Sequence, residues 1–135
     1  MRIVLDDGAF VPTRAHPTDA GLDLRCKEHC TIPPHSHASI DTGVHVEIPI
    51  GCVGMLTSKS GLMRQGITCR GTIDCGYTGT IQAEVYNHSN EPYFFQTGSK
   101  VTQLVILPCV FPTVDIVDAL EETDRGNGGF GSTGR

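Results

Sequence analysis

Apolar and polar residues alternate over residues 44–48 (VHVEI) and again over residues 80–86 (TIQAEVY). That is the two-residue period of strands with one face in a core. Residues 104–107 (LVIL) are continuously apolar, which predicts a strand buried on both faces. Residues 114–117 (VDIV) predict a last strand, ahead of the acidic Glu121 and Glu122. Glycine and proline punctuate the chain at intervals of roughly eight to twelve residues, the spacing of turns between short strands. Only residues 61–65 could hold a helical turn. There is no internal repeat and no dividing linker. The pattern predicts one all-β domain of sandwich or jelly-roll type.

Composition narrows the function classes. The 135 residues are 39% hydrophobic and 19% charged, with a net charge of −5. That balance, with no long basic run, speaks against wrapping nucleic acid, but a small anionic ligand needs only a local cationic pocket. The N-terminus lacks an apolar stretch of signal-peptide length and no run approaches membrane-spanning length, so a soluble, cytoplasmic protein is expected. Cys26, His29, Cys30, His35 and His37 crowd one segment. Their C-x3-C spacing lacks a second paired half, which favours free thiols and surface histidines over structural zinc.

Five segments do not read as plain strand and turn. Residues 19–25 (DAGLDLR) set Asp23 and Arg25 on the face opposite Leu24. Residues 57–62 (TSKSGL) surround Gly61 with hydroxyls and the Lys59 cation. Residues 71–79 (GTIDCGYTG) form a turn with one carboxylate, Asp74, and one aromatic ring, Tyr77. Residues 98–104 (GSKVTQL) carry Gln103. The chain ends in RGNGGFGSTGR, residues 125–135, where five glycines flank Phe130. Glycines bury little and cost much entropy to order, so this end reads as an arm that orders around a ligand. Its backbone amides, Ser132, Thr133 and Arg125 suit anionic oxygens, and Phe130 can stack on a flat ring. Singly these segments are weak: a Ser-Gly pair is usually a turn, and an aspartate before a turn is usually a cap.

In this order the five segments resemble the motifs of the homotrimeric all-β dUTP diphosphatases, the dUTPases, and span the whole chain. The resemblance implies a distorted jelly-roll domain over residues 1–124 and a mobile arm over 125–135 that closes the site. It implies hydrolysis of dUTP to dUMP and pyrophosphate, which keeps uracil out of DNA. Asp74 matches the carboxylate that activates the attacking water, and Tyr77 the ring that packs under the deoxyribose and excludes a 2′-hydroxyl. Asp23 matches the acid that reaches Mg²⁺ through water, the metal being held mainly by the substrate phosphates. Lys59, Ser60, Gly61 and Gln103 match phosphate contacts. Thr68, Thr72, Ile73 and Gln82 belong to the hairpin whose backbone reads uracil. Arg125, Phe130, Gly131, Ser132 and Thr133 match the arm, which grips the terminal phosphate and stacks on the base. The family's site is shared among three chains, so a homotrimer is part of the expectation.

The sequence departs from the family pattern in places. Lys59 stands where arginine is usual, keeping the charge but not the bidentate fork. Gly76 replaces a common acid, and the ten residues from Met63 to Thr72 make a shorter approach to the Ile-Asp pair than expected. Asp74, Gly76, Tyr77, Gly79, Glu84 and Asn87, with Arg64, also fit the frame of the dCTP deaminases of the same fold, in which Glu84 would be the catalytic acid–base. A third reading is a nucleotide-controlled regulatory binding protein. The short chain and the terminal GGFGSTG favour the dUTPase.

Overall fold

Short β-branched runs between turn residues form short antiparallel strands, because each strand can bury only alternate side chains. A computed structural model of the chain describes residues 1–129. In order, β1 (Ile3–Leu5), β2 (Gly21–Arg25), β3 (Cys30–Ile32), β4 (Ser36–Asp41), β5 (Val44–Val46) and β6 (Cys52–Thr57) precede one turn of helix, α1 (Ser60–Met63). After it come β7 (Ile67–Ile73), β8 (Gln82–Asn87), β9 (Tyr93–Phe95) and β10 (Lys100–Pro108). A curled sheet runs β2-β10-β6-β7-β8-β4, flanked by two ribbons, β1-β5 and β3-β9, and every pairing is antiparallel. This is the jelly-roll class expected from the alternation.

The core fills the inside of the curl. Leu24 of β2, Leu56 of β6, Ile67 of β7, Val85 of β8 and Leu104 of β10 are buried there with Ile32 and Phe95 from the β3-β9 ribbon. β8 shows the rule most clearly: Ala83, Val85 and Asn87 point inward while Gln82 and Tyr86 face out. Burial of such side chains at about 25 cal/mol per Å² is what holds short strands together.

The strand expected over 80–86 begins two residues later, because Ile81 exchanges backbone hydrogen bonds with Thr42 and Val44 instead of joining the ladder. The expectation of a doubly buried strand at 104–107 is corrected: Leu104 is buried, but Leu107 is 45% exposed at the end of β10. Residues 114–117 form no strand; Val114 and Ile116 are 87% and 98% exposed. Their alternation lacks a partner edge within this chain, and an unpaired strand leaves its backbone groups to water. All six cysteines are free thiols. Among the described residues no helix is long and apolar enough to cross a membrane.

Candidate active site

The first cluster grows from the row Asp23–Gln103–Thr57, set side by side across β2, β10 and β6 by the register. Side chains in one row of an antiparallel sheet share a face. Asp23 is almost fully buried and lies between two cations: Lys59 Nζ bonds one carboxylate oxygen and Lys100 Nζ donates to the other at 2.6 Å. Burial pushes this carboxyl up, but hydrogen bonds and charge from Lys100 and Lys59 outweigh it and hold it below the usual carboxylate range. Around them opens a cleft of about 290 Å³ lined by Ala20, Gly21, Asp23, Lys59, Lys100 and Gln103.

Lys59 directly precedes α1, and the amides of Ser60 and Gly61 open the turn, where no intrahelical acceptor exists. Ser58 fixes this segment to β7: its hydroxyl accepts from the Cys69 amide at 2.8 Å and donates to the Cys69 carbonyl at 3.0 Å. Gln103 leans toward the Ser58 carbonyl at 3.4 Å.

The second cluster is the β7-β8 hairpin. β7 pairs with β8 only over Ile67, Thr68 and Cys69, whereas residues 70–73 pair with β6. The hairpin therefore splays beyond Cys69, leaving the β8-facing edge of residues 70–73 outside any ladder. Thr72 is exposed on this limb, Ile73 is anchored in the core, and Thr68 bonds His88 at 2.8 Å on the outer face. Asp74 is exposed at the tip, where its carbonyl accepts from the Tyr77 amide at 3.0 Å. The Tyr77 hydroxyl donates to the Thr80 carbonyl at 2.9 Å, closing the ring over the turn. Gln82 is committed elsewhere, its amide donating to Asp41 at 3.1 Å.

The two clusters do not meet within the chain. Ile73 pairs with Gly54, three positions along β6 from Thr57, and three strand spacings separate β7 from β2. With three strand spacings across and four residues along from Arg70, which shares the row of Asp23, sheet geometry puts Asp74 and Asp23 on the order of 20 Å apart. Arg125 is exposed and its Nε donates to the Gly128 carbonyl at 3.0 Å. Phe130, Gly131, Ser132 and Thr133 lie outside the described residues.

Lys100 is the site residue that strand periodicity misses. In a regular strand, positions 100 and 103 face opposite sides. The register shift between Lys100 and Thr102 turns both side chains into one cleft. The deaminase frame fares poorly. Asn87 spends its amide nitrogen on the Ile32, Pro33 and Glu91 carbonyls and its oxygen on Ser89, so it serves a turn. Glu84 sits in the outward row of β8.

The chain is similar to known proteins over most of its length. The family model described as dUTPase matches residues 7–134. The chain is a member of the dUTPase family. It is 39% identical to the deoxyuridine 5′-triphosphate nucleotidohydrolase of a Picosynechococcus strain, over 96% of this chain and 94% of the relative. It is 37% identical to the protein of the same name from Saccharomyces cerevisiae, over 93% and 88%. Among solved dUTPases, a variant from Staphylococcus bacteriophage 80alpha with dUpNHpp superposes with a TM-score of 0.92 at 30% identity, covering 99% of this chain and 98% of that one. A variant from phage phi11 of S. aureus, reported with the coordination of a structural Mg(II) ion, gives 0.82 at 31% identity, covering 90% and 98%.

Proposed function

We propose that this chain is a dUTP diphosphatase that hydrolyses dUTP to dUMP and pyrophosphate in a site completed by other copies of itself. The observation that carries this reading is the separation of the two clusters. One has lysines around a carboxylate; the other has an exposed aspartate at the mouth of an open hairpin. A triphosphate seated in the first cleft of one protomer would meet Asp74 from another. A homotrimer, with the arm at 125–135 closing the pocket as a third contribution, fits that division. The unpaired apolar side chains beyond β10 supply surface for such association.

In this reading the splayed limb of residues 70–73 offers backbone groups to the uracil edge, near Thr68. A base with donor and acceptor exchanged would leave these groups unpaired, which is how cytosine is rejected. The Tyr77 ring lies under the sugar. Lys59, Lys100, Gln103 and the Ser60 and Gly61 amides take the phosphate oxygens. Asp74 accepts a proton from a water that attacks the α-phosphorus; the bond from that phosphorus to the bridging oxygen breaks, and pyrophosphate departs. Arg125, Phe130, Gly131, Ser132 and Thr133 cover the ligand.

Asp23 is a single carboxylate, and the described residues hold no group of three or more metal-ligating side chains. That donor set fits Mg²⁺ carried by the substrate phosphates, with Asp23 reaching it through water. When bound, the ion neutralises charge on the triphosphate.

Asp74→Asn tests the assignment. It should retain nucleotide binding and lose turnover by about 10³-fold, as for loss of a positioned base. Normal hydrolysis by that variant would refute Asp74 as the base. Separate assays with dUTP and dCTP should give pyrophosphate from the first and no ammonia from the second.

A further inference from the structure

The turn that carries Asp74 and Tyr77 is fastened unequally at its two ends. On the β8 side, the Thr80 hydroxyl and the Gln82 amide both donate to Asp41, at 2.7 and 3.1 Å, and Ile81 is backbone-paired to Val44. At the crown, among the described residues, Thr78 is held by one side chain. His45 of β5 places Nδ1 2.9 Å from the Thr78 carbonyl and Nε2 3.1 Å from an Asp6 carboxylate oxygen. A carbonyl and a carboxylate can only accept. A neutral imidazole donates from one nitrogen alone, so both contacts are hydrogen bonds only when the ring carries two protons.

We propose that His45, as an imidazolium, is a positioning residue: it ties the crown of the 74–79 turn to Asp6 and so sets where Asp74 and Tyr77 stand. The proposal rests on the reading of Asp74 as the base. His45 acts through the Thr78 carbonyl and does not touch substrate. The charged groups around it fit the role. Asp6 follows β1, and Asp41 at the end of β4 stands nearby. Lys27 lies 3.9 Å from the second Asp6 oxygen and 3.6 Å from Asp41. The Arg2–Glu47 pair lines the same groove at the β1-β5 ribbon. Two carboxylates against one ammonium leave room for a second cation, which the imidazolium supplies.

The hydrogen bond to the Thr78 carbonyl and then the bond and charge of Asp6 raise the His45 pKa above 6.5. The tie is therefore complete below that value and is lost as pH rises through the higher folded value.

Ring-nitrogen NMR of the full chain without nucleotide tests this directly. Both His45 nitrogens should carry protons at pH 5.5, and the midpoint should fall when Asp6→Asn removes the carboxylate. His45→Gln carries both of its N–H donors on one nitrogen and cannot span the two acceptors that Nδ1 and Nε2 reach; its turnover should fall about 10-fold, the scale of a small misplacement of reacting groups. The alkaline limb that follows the His45 titration should vanish from its kcat–pH profile. A neutral, single-tautomer His45 at pH 5.5 would overturn the proposal, as would a His45→Gln profile identical to wild type. If His45→Gln does not fold, the NMR titration and Asp6→Asn decide alone. The nitrogen spectra do not depend on which group is the base, so failure of Asp74 as base would appear separately, in Asp74→Asn.

Discussion

At the residue scale, two glycines are set by side chains the proposed chemistry needs. A β-carbon at Gly79 would lie 2.6 Å from Tyr77 Cζ, and one at Gly21 would lie 2.9 Å from Gln103 Cδ. Real β-carbons do not approach so closely, so each glycine clears the seat of a neighbour. Gly79→Ala should push the Tyr77 ring off the turn, lowering kcat/KM for dUTP about 10-fold and narrowing its preference over UTP. Steady-state kinetics with both nucleotides reads this out; Gly76→Ala, whose β-carbon would meet nothing within 4 Å, is the control. Asp23 gives a prediction in pH. Burial raises its pKa but Lys100 and Lys59 pull it down further, so the folded value lies below 3.8. Its contribution to stability is then present above pH 3.8 and lost as pH falls through the folded value. The Tm of wild type should therefore drop more steeply below that pH than the Tm of Asp23→Asn. Parallel curves would show that the lysine clasp adds nothing to folding.

At the scale of elements, the legible parts were those with a local cause. Alternation located β5 and β8, and the absence of helical periodicity matched a chain whose α1 is one turn. Three features were hidden because their causes are not local. The splay of β7 from β8 depends on β6 competing for residues 70–73. The entry of Lys100 into the Asp23 cleft depends on a bulge. The failure of 114–117 to form a strand depends on what edge is available. Asn87 illustrates the reverse error: its place after Glu84 resembles a catalytic motif, yet every polar atom of its side chain is committed to the turn at 87–91 and to the Ile32 and Pro33 carbonyls. Glu84 lies in the outward row of the same strand, so Glu84→Gln should leave dUTP turnover within about twofold, as for a surface change. A collapse of activity in that variant would restore a chemical role for β8.

At the scale of the whole molecule, the chain has more apolar surface than it can cover alone. Val110 and Leu120 are 85% and 86% exposed, along with Val114 and Ile116 between them. A run of this kind marks an interaction surface. Combined with the register that parts Asp74 from the Asp23 cleft, it makes a strong demand: no protomer should turn over dUTP by itself. Subunit mixing tests the demand more sharply than dilution. Asp74→Asn lacks the proposed base but keeps the phosphate cleft, whereas Lys59→Met lacks a cleft cation but keeps the base; each homogeneous protein should be nearly inactive. When equal amounts are unfolded and refolded together, a shared site can draw Asp74 from one parent and Lys59 from the other. About a quarter of the sites should then carry both, if subunits assort at random around a closed ring. Recovery toward that fraction, measured as pyrophosphate release, requires a site built across subunits. A mixture no more active than its parents would mean that one protomer brings both groups to its own substrate, and the separation seen along the sheet would have to close on binding.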